Sequence, residues 1–155
     1  MSNFVLGNRS EKIIVFYTFT DAREFNKFKE SLDFTINPKV LHTTVIVVFL
    51  ENELDKNSLP QIARMNYLSK SDFNFLGQYK DKKFGELMKA KYDQLVVFGA
   101  IDKKNIKRIN KVTAKTRIVT NSTEKLNSDI SIKANATGIE QIINFAKETL
   151  LKIQS

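Results

Sequence analysis

The chain has no cysteine, no tryptophan, one histidine, two prolines and five glycines among its 155 residues. Without cysteine, both a disulfide framework and a thiolate metal site are excluded. The longest apolar run is VIVVFL, which is far too short to span a membrane. The N-terminal stretch MSNFVLGNRSEK contains no apolar segment of signal-peptide length. These absences predict a cytoplasmic protein that has no membrane as a partner.

The scarcity of histidine and glycine also narrows the possible chemistry. His42 is the only histidine that could act as a general base, and it lies just before an apolar run. The motifs G-x-S-x-G, G-x-G-x-x-G and G-x-x-x-x-G-K-[ST] are all missing. Carboxylates at alternating positions could bind a divalent cation through their oxygens, and such a set is present at Glu51, Glu53 and Asp55. No histidine or further acidic cluster joins them in the sequence. We therefore predict no catalytic residue, no metal and no cofactor, and we favour a non-enzymatic protein; carboxylate or lysine chemistry stays open.

The residues that are present indicate one folded domain. With 42% hydrophobic and 27% charged residues, the composition is that of a soluble globular protein. We interpret residues 1–155 as a single α/β domain whose first ten residues form a loosely ordered arm. Strand-like apolar runs cover residues 12–19, 42–50, 63–70, 93–100, 114–121 and 128–135. Helical periodicity covers residues 21–34, 81–92, 102–113 and 138–154.

Strands that alternate with helices predict a three-layer α/β sandwich of Rossmann-like or flavodoxin-like type. Its sheet is expected to be mostly parallel, with five or six strands and helices on both faces. The connection at 51–62 is barely long enough for a parallel crossover, so the third strand is expected at an edge or antiparallel. The apolar stripes predict which side chains face inward, namely Ala22, Phe25, Phe28 and Leu32 on the first helix and Phe84, Leu87, Met88 and Tyr92 on the second.

The net charge of +8 is concentrated in one part of the chain. Residues 70–117 hold 13 Lys and Arg against 5 Asp and Glu, whereas the remainder is balanced. Such a block suits a polyanionic partner, either a nucleic acid or an acidic protein, although a solvated face has the same composition. On the helix at 102–113, the spacing i, i+3, i+4, i+7 aligns one cationic ridge that could follow phosphates: Lys104, Lys107, Arg108 and Lys111.

The segment YLSKSDFNFLGQYKDKKFGELMKAKY, residues 67–92, places aromatic residues among lysines. Aromatic rings beside cations can stack bases while the lysines hold the backbone. The spacing of Phe73 and Phe75, next to Leu76, instead favours packing at the edge of the core. The same interpretation leaves Tyr79 and the lysines, including Lys70, as an exposed rim. The rim residues that we add to the binding face are Tyr79, Lys80, Lys82 and Lys83.

An alternative site is predicted where the first and fourth strands end. Ligands of open α/β sheets bind outside the carboxyl ends of the strands, and helix starts can bind phosphate. This hypothesis describes a small enzyme or sensor for a phosphorylated metabolite or nucleotide, with five residues at its site: Thr20, Asp21, Gly99, Asp102 and Lys103. The competing interpretation is an ordinary strand-to-helix turn that Asp102 caps.

Three stretches carry a family resemblance: YLSKSDFNFLGQYKD, YDQLVVFGA and DISIKANATGIEQIINFAKETLLKI. Together they resemble a small family of uncharacterised bacterial α/β proteins of Bacteroidetes type, known as a domain of unknown function. The resemblance runs from residue 12 through most of the chain. It departs at Phe98–Gly99–Ala100, where family members often have an acidic residue and a small polar one. The family implies no activity, so no catalytic residue is carried over from it.

Overall fold

A computed structural model describes residues 12–35, 44–50, 59–60, 65–120 and 126–132. Across these residues six strands form one sheet in the order β3-β2-β1-β4-β5-β6, and every neighbouring pair is parallel. The strands are β1 Ile13–Phe19, β2 Val45–Leu50, β3 Met65–Leu68, β4 Lys91–Phe98, β5 Thr113–Thr120 and β6 Ile130–Ile132. The predicted fold class, a Rossmann-like α/β sheet, is confirmed.

Burial on both faces explains why the central strands are continuously apolar. All seven residues of β1 are buried, as are the last five of β2. A parallel sheet whose connections are helices is covered on both sides, and alternating polar residues would then lie in the core. The edge strand β3 is half-buried at its first two positions, which fits a strand with one neighbour.

Three α-helices lie in the described part of the chain, α1 Ala22–Thr35, α2 Lys82–Lys89 and α3 Lys103–Asn110. Phe25 and Phe28 of α1 pack with Ile13 and Val15 in one core cluster. Side chains from α2 and α3 pack in a second cluster with Ile14 and Phe16, which alternate with the first pair along β1. The sheet therefore has an α1 face and an α2–α3 face, as predicted.

Several details of the predicted elements need correction. Of the two alternatives for the third strand, the edge position is confirmed and the antiparallel direction is wrong, since β3 lies at an edge and pairs parallel with β2. β2 ends at Leu50 and β3 begins only at Met65. That interval supplies the dozen or more residues that a parallel connection needs. Tyr92 belongs to β4 and not to the preceding helix, since it pairs with Ala114 of β5. Ala22 is exposed, because the first turn of α1 extends beyond the apolar cluster.

Some predictions fall outside the described residues. They concern the N-terminal arm, His42, the carboxylates at 51–55 and the helix at 138–154. None of the helices in the described ranges has the length and apolar character needed to cross a membrane.

The strand order reverses between β1 and β4, since β2 follows β1 on one side and β5 follows β4 on the other. Ligands of parallel α/β sheets bind at the carboxyl ends of the strands, near such a reversal. We therefore expect a ligand site among the residues that follow β1, β2, β3 and β4.

Candidate functional site

A cleft of about 500 Å³ opens at the carboxyl edge of the sheet, on the α2–α3 face. Its floor includes Phe49 and Leu50 of β2 and Leu68 of β3. One wall is the connection between β3 and α2, which we call the 69–81 loop, and the other is the first two turns of α3. Its polar and aromatic lining includes Lys70, Asn74, Phe75, Lys104, Asn105 and Arg108.

The 69–81 loop is organised by its own hydrogen bonds. It begins with a 3₁₀ turn at Lys70–Asp72, where the Ser69 backbone N–H donates to the Asp72 carboxylate at 2.7 Å. Phe73 and Tyr79 then form an antiparallel bridge, and the Lys80 N–H donates to the Asp72 carbonyl at 2.9 Å. The loop is thus a small closed hairpin on the edge of the sheet.

The tip of this hairpin is a turn built by Asn74 and Gly77. The Asn74 Oδ1 accepts hydrogen bonds from the backbone N–H groups of Leu76 at 2.9 Å and Gln78 at 3.0 Å. Gly77 has φ near +79°, a conformation that glycine adopts without strain. The turn exposes Phe75 by 95% and Leu76 by 67%. The prediction that Phe75 packs at the edge of the core is wrong, because Phe75 lies in the turn and not on the bridged part of the hairpin.

A column of side chains in cation–π, tilted and edge-to-face contact joins the hairpin to α2 and α3. The Arg108 guanidinium lies 3.7 Å from the Phe73 ring centroid, Phe73 is 5.2 Å from Tyr79, and Tyr79 is 5.3 Å from Phe84. Such cation–π and aromatic contacts each stabilise by about 0.5–1.5 kcal/mol. Tyr79 was predicted as exposed rim, and this is wrong, because the column half-buries it and burial raises the pKa of its hydroxyl.

The start of α3 holds a chain of hydrogen bonds that orients Arg108. Asp102 caps the helix by accepting from the Asn105 N–H at 2.8 Å. The Asn105 Nδ2 also donates to Asp102 at 3.2 Å, and the Arg108 Nη1 donates to the Asn105 Oδ1 at 2.8 Å. Lys104 is exposed on the same part of the helix. The cleft therefore has three cationic side chains, Lys70, Lys104 and Arg108, against one carboxylate that already accepts hydrogen bonds.

The ends of β1 and β4, which form the alternative predicted site, are largely occupied by internal hydrogen bonds. Asp21 caps α1 by accepting from the Glu24 N–H at 2.8 Å, and Thr20 is exposed beside it. The Gly99 N–H donates to the Thr120 carbonyl at 3.1 Å and so already has a partner. Lys103 is exposed at the start of α3. Of the five residues predicted for this site, Asp102 lies in the lining of the cleft.

The other predicted basic residues lie outside the cleft. Only Lys104 and Arg108 of the predicted ridge line it. The remainder are exposed on α2, on α3, at the C-cap of α3 and at the end of the hairpin, and none forms an ion pair with another described residue: Lys80, Lys82, Lys83, Lys107 and Lys111. The structure thus separates a basic group inside the cleft from one on the surrounding surface.

Sequence reasoning missed part of the lining. Lys70 was predicted only as part of the exposed rim. Asn74 and Asn105 were not predicted at all, although Asn74 precedes Gly77 at the spacing typical of a side-chain-stabilised turn. No pattern in the chain indicates that Lys70 and Lys104 face the same cavity. Among the described residues there is no group of three or more side chains that could hold a metal ion.

Neither protein-family models nor curated proteins match this sequence, so the resemblance to a bacterial family stays a prediction. One solved structure with similar architecture is a glycosyl transferase of family 9 from Veillonella parvula DSM 2008, with a TM-score of 0.61 and 12% sequence identity. The alignment covers 97% of this chain and 45% of that one, so this chain spans less than half of that protein's length. At this identity the similarity shows the fold alone.

Proposed function

We propose that the cleft binds a small phosphorylated ligand. The observation that carries this proposal is the convergence of Lys70, Lys104 and Arg108 on one concave site at the carboxyl edge of a parallel sheet. Cations that meet in a cavity interact with a phosphate more strongly than scattered surface charges do, because the cavity walls exclude part of the water. The volume of about 500 Å³ is typical of sites for small molecules.

The arrangement supports recognition of an anion without requiring a reaction. Arg108 is held by Phe73 and Asn105, so it presents a fixed guanidinium that can form two parallel bonds to a phosphate. Lys70 and Lys104 act as flexible point charges on opposite walls. The structurally similar protein is named a glycosyl transferase. Sugar phosphates are therefore among the ligands that merit testing.

The test compares two pairs of lysines that carry the same charge. We expect pyrophosphate and ribose 5-phosphate to bind the wild-type protein in isothermal titration calorimetry. Lys70→Ala with Lys104→Ala should lower the affinity about tenfold or more, since hydrogen bonds to charged groups contribute about 1.5–3 kcal/mol. The control, Lys107→Ala with Lys111→Ala, removes two exposed charges of the same helix region outside the cleft and should have little effect.

Two results would contradict the proposal. One is no binding of any phosphate compound at low salt, where electrostatic attraction is strongest. The other is an equal loss of affinity in both lysine pairs, which would mean that net charge and not the cleft attracts the anion.

A second candidate function is binding of a polyanion on the surface outside the cleft. It is favoured by the five exposed lysines of α2, α3 with its C-cap, and the hairpin end, which have no ion pairs within the described part of the chain. In this case Lys80, Lys82, Lys83, Lys107 and Lys111 contribute most of the affinity, and Lys70 contributes little. The two functions therefore depend on different lysines.

A further inference from the structure

Phe75 is an aromatic ring that the fold places in solvent beside a charged cleft. Its exposure of 95% exceeds that of every other large hydrophobic residue in the described ranges. Leaving a phenylalanine ring in water forgoes the stabilisation that burial gives. The neighbouring Phe73 shows the alternative, since it is partly buried against the core cluster with the Arg108 guanidinium over its ring.

The exposure of Phe75 results from an ordered turn. The Asn74 side chain accepts from the N–H groups of Leu76 and Gln78, and its Nδ2 donates to the Gln78 side chain at 3.0 Å. The Gly77 N–H closes the turn on the Asn74 carbonyl at 2.9 Å. These bonds hold the backbone of residue 75 at the tip, so little backbone entropy would be lost when a ligand contacts its ring.

The ring also belongs to the cleft, whereas its exposed neighbour does not. Phe75 is part of the lining together with Lys70 and Lys104, and Leu76 is not. The cleft thus offers cations on both of its walls and an aromatic face at the tip of the hairpin. A ligand that contacts both the cations and the aromatic face carries a phosphate and a flat ring.

We propose that Phe75 is a stacking platform for a base and that the ligand of the cleft is a nucleoside phosphate. This inference rests on the proposed phosphate-binding function and specifies its ligand class. Every nucleobase has a flat π face, and stacking on an aromatic side chain is strong and tolerant of base identity. The phosphates lie against Lys70, Lys104 and Arg108, and the base lies on Phe75.

The experiment measures the affinity of ADP and UDP, with pyrophosphate and ribose 5-phosphate as ligands that lack a base. We expect ADP and UDP to bind the wild-type protein about tenfold more tightly than the two base-free compounds. Phe75→Ala should remove this advantage, so that ADP binds no more tightly than pyrophosphate to that variant, while Phe75→Tyr should retain the advantage. Leu76→Ala is the matched control, since it shortens an exposed apolar side chain of the same turn outside the lining.

The outcomes separate this inference from the function on which it rests. Equal ADP affinity in Phe75→Ala and Leu76→Ala, with a loss in the Lys70 and Lys104 double variant, would overturn the stacking role alone. The stacking role also fails if ADP binds no more tightly than pyrophosphate. If none of the four compounds binds, the phosphate site and the stacking role fail together. Circular dichroism should show that the Phe75 and Leu76 variants are folded, because both of these side chains are mostly exposed.

Discussion

Arg117 is the residue that fastens the end of α3 to the sheet. From β5 its Nη1 donates to the Val112 carbonyl at 2.6 Å and its Nη2 donates to the Ile109 carbonyl at 2.7 Å. The last carbonyls of a helix lack partners within the helix, so a cation there also meets the negative end of the helix dipole. Burial lowers the pKa of Arg117, which Asp129 counteracts, and the guanidinium stays charged.

We expect Arg117→Ala to lower the free energy of unfolding by about 2–3 kcal/mol, because it leaves two half-buried carbonyls without their charged donor. Arg117→Lys should lie between the wild type and Arg117→Ala, since one ammonium cannot reproduce the guanidinium fork. Urea denaturation measures both. Lys115→Ala is the control on the same strand, because its side chain is 82% exposed and solvent therefore screens its ion pair with Asp93. Equal stability of the Arg117→Ala and Lys115→Ala variants would show that the fork contributes nothing.

At the scale of one element, the 69–81 loop combines a fixed base with an exposed tip. Its base is joined to the protein by the column of Arg108, Phe73, Tyr79 and Phe84. Its tip depends on Asn74. The Asn74 side-chain oxygen accepts the hydrogen bonds of two backbone N–H groups in the turn, those of Leu76 and Gln78. A change at the tip should therefore act locally and leave the core intact.

Asn74→Ala should increase the hydrogen-exchange rates of the Leu76 and Gln78 amides by about tenfold, because both lose the acceptor that protects them. Amide exchange followed by NMR measures this directly, without a ligand. Asn74→Asp keeps an acceptor oxygen at the same position and should retain most of the protection. The assignment of the turn to the Asn74 side chain would be refuted if Asn74→Asp exchanged as rapidly as Asn74→Ala.

At the scale of the whole molecule, the order and type of the elements could be predicted from the sequence. Apolar runs such as Ile13–Phe19 and Val45–Leu50 are the direct result of burial on both faces. Phe25, Phe28 and Leu32 recur at helical spacing because one side of α1 packs on the sheet. These patterns are local in the chain, and local patterns specify helices and strands.

The cleft could not be predicted in the same way. Lys70 follows β3 and Lys104 lies in α3 after β4, and they meet only because β3, β2, β1 and β4 lie in that order. Strand order is set by the packing of the complete sheet and leaves no local pattern. The positions of Phe73 and Phe75 show a further limit, since a spacing of two indicates a shared face only on a strand, and Phe75 lies in a turn.

The excess of positive charge is also a property of the whole molecule. Residues 70–117 supply both helices of the α2–α3 face, while α1 on the other face has mixed charge, with Lys27 within 3.9 Å of Glu24. A polyanion approaching the protein would thus meet one face that is more attractive than the other.

If this face binds a polyanion, a labelled single-stranded oligonucleotide should bind at about 50 mM salt and weaken steeply by about 200 mM. Lys107→Glu with Lys111→Glu should then reduce the affinity about tenfold or more and lower the salt slope by about 1 for each lysine at the interface. The control is Arg23→Glu with Lys27→Glu, which changes the net charge equally on α1, on the opposite face. Fluorescence anisotropy gives all three affinities.

Equal weakening by both pairs of variants would mean that net charge alone attracts the oligonucleotide. No binding of the wild type at low salt would exclude nucleic acid as the partner of this face.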